Sequence, residues 1–305
     1  MKTYLDCVPC FFKQALEAAR IAGAGPRKQK EILDELSRIL PSLPLTASPP
    51  EIGRVIYGLV NRLTSRKDIY ADIKEKSNKL AMSVYPRLKN KVERSSDRLL
   101  EAIELAIAGN VIDYGVKNSL DVDKEVKNIL DEENNRIRKQ KKGVFEYKKF
   151  RQALRRAKTV LYLADNAGEI VFDRVLIEEI KRTDTDKKII CAVKEKPIIN
   201  DALVKDAYRC GVDKAAEIIS SGSDAPGTVL SLCSKKFLKI FKEADLVISK
   251  GQGNFEVLSG VHRPVFFLFM AKCPVVAREV NCGVGDIILL HHPGTLKTGK
   301  GKRGK

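Results

Sequence analysis

Residues 159–169 read TVLYLADNAGE, and this stretch decides the fold. The first five residues are rich in apolar, β-branched and aromatic side chains, which is typical of a buried strand. Asp165, Asn166 and Glu169 follow within a few positions, and a helical pattern of apolar residues begins at Ile170. A buried strand that leads into a helix is the repeating unit of a parallel sheet covered by helices. The sequence therefore predicts polar residues at the carboxyl end of a strand.

The rest of the chain favours a mixed α/β fold. Apolar residues recur at helical spacing before about residue 150, whereas short apolar runs alternate with helical stretches after it. Further predicted strands are KKIICAVK, AAEIIS, ADLVISKG, PVFFLFM and DIILLHH. We expect a three-layer α/β/α sandwich with a mostly parallel sheet, preceded by a helical N-terminal part. The predicted boundaries are a helical domain at 1–150, an α/β domain that binds metal and phosphate at 151–295, and a basic disordered tail at 296–305.

Composition narrows the class of protein. The chain has 305 residues, of which 44% are hydrophobic, and no apolar run approaches the roughly 20 residues of a membrane span. The N-terminus lacks the apolar core of a signal peptide, so we expect a cytoplasmic protein. The formal net charge is +17, but ten of those charges come from the segments 136–142 and 297–305. This concentration disfavours nucleic-acid binding as the main function.

Polar clusters follow four consecutive predicted strands, where parallel sheets bind ligands. Asp165, Asn166 and Asp201 offer hard oxygen ligands. Two converging carboxylates about 4 Å apart would repel each other by roughly 4 kcal/mol at an effective dielectric constant of about 20. A divalent cation between them removes that repulsion. Oxygen-rich coordination suits Mg²⁺ or Mn²⁺ better than Zn²⁺. The attacking group in a phosphoryl transfer would be either a water molecule or the Asp165 carboxylate.

Lys250 and the glycines beside it fit a phosphate group. Gly251 and Gly253 would let backbone N–H groups approach an anion, and the ammonium adds a point charge. Three asparagines could bind hydroxyls or phosphate oxygens: Asn166, Asn200 and Asn254. Each segment alone also fits an ordinary turn or helix cap. Four such clusters at successive strand ends favour a shared site.

These motifs resemble those of the damage-control phosphatases, which carry the domain first called domain of unknown function eighty-nine. The matching segments are DNAGE at 165–169, IIND at 198–201, SGSDAPGT at 221–228 and KGQGNFE at 250–256, with CVPC at 7–10 and GNVIDYG at 109–115 typical of the prokaryotic subfamily I, which bears a CxxC pair. The resemblance covers the chain up to about residue 293. It implies a metal-dependent phosphatase of damaged or accumulating metabolites, with manganese favoured and nickel as an alternative.

The resemblance also implies roles for individual residues. Asp165, Asn166 and Asp201 match the metal ligands, and the segment Lys250–Asn254 matches a loop at the substrate phosphate. Further substrate contacts are implied for Glu169, Asp224, Asn110 and Asp113, of which the last two would close the pocket.

The pair Cys7 and Cys10 has no settled role. A CxxC pair at a helix start can be redox active or can hold an ancillary metal, and it can also be simply buried. A structural zinc site needs four ligands, and the sequence has no second close pair of cysteines.

We therefore predict a metal-dependent phosphoric monoester hydrolase that acts on sugar phosphates or on damaged nucleotides. Asp165, Asp201 and Lys250 are the expected catalytic residues. One alternative is a protein that binds a phosphorylated metabolite in the same pocket without hydrolysing it. The other alternative is a nucleic-acid-binding protein, whose affinity would fall steeply with salt.

Overall fold

The computed structural model describes residues 1–109 and 142–294. Asn110, Asp113 and the basic tail, which the sequence analysis singled out, lie outside this part of the chain. The described helices are α1 (Val8–Ile21), α2 (Pro26–Ile39), α3 (Pro49–Thr64), α4 (Ala71–Arg94), α5 (Arg98–Ala108), α6 (Tyr147–Arg156), α7 (Glu169–Thr183), α8 (Val204–Arg209), α9 (Lys235–Glu243), α10 (Gln252–Leu258) and α11 (Pro274–Val280).

Capping residues in the sequence explain where helix α3 begins and ends. Two prolines open α3, and the Glu51 carboxylate accepts hydrogen bonds from the Ser48 N–H at 2.8 Å and the Ser48 hydroxyl at 2.7 Å. The helix ends at Ser65, which adopts a left-handed conformation with φ 55°. Helices α1, α2 and α3 pack around their own core, which includes Phe11, Leu36 and Ile56.

Seven strands form one sheet in the order β1-β7-β6-β5-β2-β3-β4. The strands are β1 (Lys142–Phe145), β2 (Thr159–Leu163), β3 (Lys188–Val193), β4 (Glu217–Ser220), β5 (Leu246–Lys250), β6 (Val265–Met270) and β7 (Ile287–His292). All neighbouring pairs are parallel except β6 and β7, which are antiparallel. The predicted mostly parallel sheet is therefore confirmed.

Helices cover both faces of the sheet. On one face, α4, α5 and α7 bury residues such as Leu88, Ile103 and Phe172 against the strands. On the other face, α9, α10 and α11 contribute Phe237, Leu258 and Val276 among others. Two helices from the N-terminal half thus form part of the sandwich itself, because they pack against α7 over the sheet.

The sheet also begins earlier than the sequence analysis placed it. Strand β1 pairs with β7, and the N–H of Glu146 donates to the Leu289 carbonyl at 2.8 Å. Residues 142–150 therefore belong with the sheet, although the predicted boundary lies near 150. The strand is only four residues long, which is too short for a period-two pattern to be recognised.

None of the described helices is both long enough and apolar enough to cross a membrane.

Candidate functional site

The loops that follow β2 and β3 are joined by backbone hydrogen bonds. The Ala167 N–H donates to the Asn200 carbonyl at 2.8 Å, and the Ala202 N–H donates to the Asp165 carbonyl at 2.8 Å. Asn166 and Asp201 form an isolated antiparallel bridge between the two loops. The structure thus brings together Asp165, Asn166 and Asp201, the three residues proposed from sequence as oxygen ligands.

The Asn166 side chain is oriented by two carboxylates. Its amide nitrogen Nδ2 lies 3.1 Å from Oδ2 of Asp165 and 3.0 Å from Oε2 of Glu169. Both carboxylates accept from the NH₂ group, which fixes the orientation of the Asn166 amide. Glu169 is buried at the first position of α7 and therefore acts on Asn166 from within the fold.

Asp165 is half-buried beside a glycine that leaves it room. Gly251 has φ 80°, and a Cβ at this position would lie 2.0 Å from Oδ2 of Asp165. The Gly251 N–H is used within the sheet, since it donates to the Leu268 carbonyl at 3.1 Å. Burial, Glu169 and Asp201 together raise the pKa of Asp165 well above its usual range.

Asp201 lies in a strained turn with an incompletely satisfied carboxylate. Its N–H donates to the Ile198 carbonyl at 3.1 Å, and Ile199 between them has φ 44°, a conformation that costs a β-branched residue energy. Its Oδ2 is buried without a hydrogen-bond partner, although Lys194 Nζ lies 3.5 Å away. Burial raises the pKa of Asp201 to about 6, and Lys194 opposes that shift.

Lys250 lies in a closed ion cluster rather than at an open surface. Its ammonium donates to Oε1 of Glu169 at 2.6 Å, to Oδ1 of Asp173 at 2.6 Å and to the Ala106 carbonyl at 2.7 Å. The side chain is fully buried, so three acceptors satisfy its three N–H donors. A substrate phosphate would have to displace one of these acceptors, and the geometry therefore does not support the direct phosphate contact expected from sequence.

Two further residues complete this Lys250 cluster, and sequence reasoning missed both. Asp173 is fully buried on α7, and the Tyr162 hydroxyl donates to its Oδ1 at 2.8 Å. Burial raises the pKa of Asp173 to about 6 against the opposing charge of Lys250. Burial acts to lower the pKa of Lys250, but Asp173 and Glu169 outweigh it and the net shift is upward.

The remaining predicted residues occupy different positions around the site. Asn254 is buried, and its Nδ2 donates to the Lys250 carbonyl at 2.7 Å, which fixes the 250–254 turn. The Gly253 carbonyl lies against Gly227, where a Cβ would come within 2.6 Å of it. Asn200 lies in the loop beside Asp201 and is partly buried. Asp224 is held by Arg54, with Nε–Oδ1 at 2.5 Å and Nη2–Oδ2 at 2.9 Å.

Asn78 ties the helical half of the chain to the loops of the site. Its Oδ1 accepts from the Gly168 N–H at 2.7 Å, and its Nδ2 donates to Oδ1 of Asp206 at 2.9 Å. Asp206 in turn accepts from the Leu203 N–H at 2.9 Å. One buried amide on α4 therefore holds the loop after β2 and the loop after β3 in register.

The two cysteines of the CxxC pair differ in exposure. Cys7 is half-buried and Cys10 is exposed, and neither forms a disulfide. Burial raises the pKa of the Cys7 thiol, which makes it less reactive.

The donor chemistry of the site fits a hard divalent ion. Within residues 1–109 and 142–294, no three side chains from His, Cys, Asp and Glu form a metal-binding group. The candidate set combines two carboxylates with one amide oxygen, and the unpartnered Oδ2 of Asp201 is an atom that a cation would satisfy.

Comparison with known proteins identifies the family to which the chain belongs. A model of the damage-control phosphatase ARMT1-like domain matches residues 3–288. The chain belongs to this family. It is 33% identical over 295 residues to a damage-control phosphatase of Pyrococcus horikoshii, covering 96% of this chain and 99% of that protein. It is 34% identical over 294 residues to a damage-control phosphatase of Archaeoglobus fulgidus, covering 94% and 98%.

Another relative is an uncharacterized protein of Methanocaldococcus jannaschii, 34% identical over 293 residues that cover 93% of this chain and 94% of that protein. A crystal structure of a DUF89 family protein from Pyrococcus horikoshii matches with a TM-score of 0.86 at 31% identity, covering 96% of this chain and 99% of that one. These findings confirm the resemblance to the damage-control phosphatase family that was drawn from the motifs.

Proposed function

We propose that the chain is a metal-dependent phosphomonoesterase in which Asp165, Asn166 and Asp201 hold one divalent ion, with manganese favoured over nickel or magnesium. The carrying observation is the buried Oδ2 of Asp201, which has no hydrogen-bond partner and only the 3.5 Å ion pair with Lys194. It lies beside a second carboxylate, Asp165, whose pKa is strongly raised. Buried negative charge of this kind is costly unless a cation compensates it. When bound, such an ion supplies Lewis-acid charge that stabilises the phosphoryl oxygens.

The chain's own residues would hold this arrangement in place. Glu169 orients the Asn166 amide, and Lys250 fixes Glu169 through the 2.6 Å ion pair. We assign Lys250 to this positioning role in place of a phosphate contact. Pre-orientation of this kind keeps the reacting groups in place without reorganisation.

Two other lysines place positive charge near Asp165, and of these Lys272 would meet the substrate phosphate, because Lys194 is buried against Asp201. Lys194 lies 3.5 Å from Asp201, and Lys272 is exposed on the loop after β6. Both charges act on Asp165, where they oppose the upward shift of its pKa. A phosphomonoester that approaches the exposed side of Asp165 would therefore meet Lys272 first.

The proposed substrates are small phosphorylated metabolites, either sugar phosphates or damaged nucleotides. Relatives that share a third of the sequence over nearly the whole chain carry the name damage-control phosphatase, which supports this class. The cytoplasmic location predicted from the sequence belongs to the same proposal.

Hydrolysis of p-nitrophenyl phosphate tests the proposal. We expect release of phosphate with Mn²⁺, none with a chelator, and a loss of more than roughly 100-fold in Asp165→Ala, since changes outside the ligand shell alone cost about 10–100-fold. A matched control is Asp34→Ala on α2, where the aspartate forms an exposed pair with Lys30. Unchanged release in Asp165→Ala would mean that the site is misassigned, and binding without release would favour the non-catalytic alternative.

A further inference from the structure

A groove runs along α3, on the outer side of the loop that leads to Asp201. It has a volume of about 1180 Å³ and lies between α3 and the segment Lys196–Ile198. Of the residues that the sequence analysis proposed for the site, Asp224 lines the groove. This volume is sufficient for a small organic ligand, because typical ligand sites measure roughly 300–1,000 Å³.

The rim of the groove carries unpaired positive charge. Arg62, Arg66, Lys67 and Lys196 are exposed, and among the described residues none of them forms an ion pair. Asp224 contacts none of the four, because Arg54 holds both of its carboxylate oxygens, although the charge of Lys196 also acts on it. Four like charges around one concave surface create a potential that attracts anions.

One glycine in the wall of the groove has no packing explanation. Gly58 lies in the middle of α3, where a glycine costs roughly 1 kcal/mol relative to alanine. A Cβ at Gly58 would meet no atom within 4 Å. Gly53 in the same helix differs, because a Cβ there would already touch Pro226 Cγ at 3.4 Å. The missing side chain at Gly58 leaves the helix backbone open to whatever occupies the groove.

The groove offers apolar surface beside its charged rim. Leu43 and Val55 line it, and Val55 is 42% exposed. The surface at Gly58 is therefore suited to a flat, uncharged group, and the charged rim is suited to an anionic one.

From these observations we propose that the groove binds a phosphorylated small molecule. Its anionic group would lie among Arg62, Arg66 and Lys196, and its uncharged part would lie on α3 at Gly58. The site is distinct from the Asp165 site but adjoins it. Ile198 lines the groove, and its carbonyl accepts the Asp201 N–H at 3.1 Å. A ligand in the groove therefore contacts the same tight turn that carries Asp201.

The test is the binding of adenosine 5′-monophosphate to the full chain, kept free of metal by a chelator and followed by isothermal titration calorimetry. Adenosine and inorganic phosphate serve as half-ligands that carry only the uncharged or only the anionic part. The variants are Gly58→Leu, which places a side chain in the groove, and Arg62→Ser/Arg66→Ser, which removes charge from its rim. Lys235→Ser/Lys236→Ser is the matched control, since both lysines are exposed on α9, away from the groove.

We expect the nucleotide to bind more tightly than either half-ligand. Each groove variant should weaken it about tenfold, as the loss of one hydrogen bond to a charged group would, whereas the α9 control should not. Gly58→Leu and Gly58→Ala should also raise the midpoint of thermal unfolding by roughly 2 °C, because both restore helix propensity. Weaker binding in a more stable protein excludes damage to the fold as its cause.

Three results would overturn the proposal. Equal affinity in all variants would mean that the nucleotide does not bind in the groove. Loss of binding in Asp165→Asn would place the nucleotide at the candidate catalytic site. Tighter, steeply salt-dependent binding of duplex DNA through the same arginines would assign the groove to nucleic acid. None of these results depends on phosphatase activity, so a failure of the proposed function would be recognised separately.

Discussion

Two groups of buried charge lie next to each other at the carboxyl edge of the sheet, and they differ in how completely the protein compensates them. In the Lys250 cluster, one ammonium meets two carboxylates and a carbonyl, all within 2.7 Å. In the pair formed by Asp165 and Asp201, Oδ2 of Asp201 has no hydrogen-bond partner and lies 3.5 Å from Nζ of Lys194. The charges of the first group are paired by close contacts, whereas the second has only the longer ion pair with Lys194.

Asn166 and Glu169 connect the two groups. Glu169 binds Lys250 with one carboxylate oxygen and the Asn166 amide with the other. The compensated cluster therefore provides a rigid base from which the uncompensated pair is oriented. The comparison indicates that breaking the first group should affect stability, whereas breaking the second should affect activity.

The largest change should come from Lys250→Met, which breaks the compensated cluster. Glu169 and Asp173 would remain buried without their cation, and we expect the free energy of unfolding to fall by about 3–5 kcal/mol. Urea denaturation at constant pH measures it. Lys30→Met, which removes an exposed pair with Asp34 on α2, is the control and should have little effect. An equally small effect in both variants would show that the cluster is not a structural element.

Asp201→Asn, which breaks the uncompensated pair, should reduce activity and leave the fold intact. We expect the kcat/KM for an aryl phosphate to fall by more than roughly 100-fold, because a proposed metal ligand is lost. The chain should remain folded, as circular dichroism would show. Full activity in this variant would remove Asp201 from the catalytic site.

The difference in stability between Asp201→Asn and the wild type should depend on pH. The folded-state pKa of Asp201 is raised to about 6, above the value near 4 of an unfolded chain. Its contribution to stability is therefore complete below about pH 4 and is lost as the pH rises through 6. Without metal, Asp201→Asn should exceed the wild type in stability by roughly 2–3 kcal/mol at pH 7.5 and by little at pH 4. A difference that does not change with pH would contradict the raised pKa.

Part of the fold and part of the candidate site can be predicted from the sequence. The parallel sheet follows from apolar runs such as 159–163, because buried strands in such sheets lack alternation. The convergence of Asp165 and Asp201 follows from the rule that ligands bind at the carboxyl ends of strands. Both inferences use short segments and one topological rule.

The role of Lys250 could not be inferred in this way. Its acceptors come from α5 and α7, and no short segment indicates which helix covers the end of β5. One pattern could have found Asp173: it lies four residues after Glu169 on a helix whose other residues there are mostly buried. Asn78 offers a similar pattern, since it is a polar residue four positions after the buried Lys74 on α4.

The smallest effect is expected at Asn78, which links the two loops. Asn78→Ala removes its hydrogen bonds to the Gly168 N–H and to Asp206, at a cost of about 1–2 kcal/mol in unfolding free energy. Affinity for Mn²⁺ should fall by roughly tenfold, since the loops would lose register. Ser83→Ala, on the exposed side of the same helix, is the control and should change neither quantity. Unaltered metal affinity in Asn78→Ala would limit this residue to a structural role.

Calorimetric titration of Mn²⁺ into the metal-free chain at pH 7.5 tests the central claim most directly. One ion should bind per wild-type chain and raise its thermal stability, and both effects should be lost in Asp165→Asn and Asp201→Asn. Binding of one ion with unchanged affinity in either variant would contradict the claim.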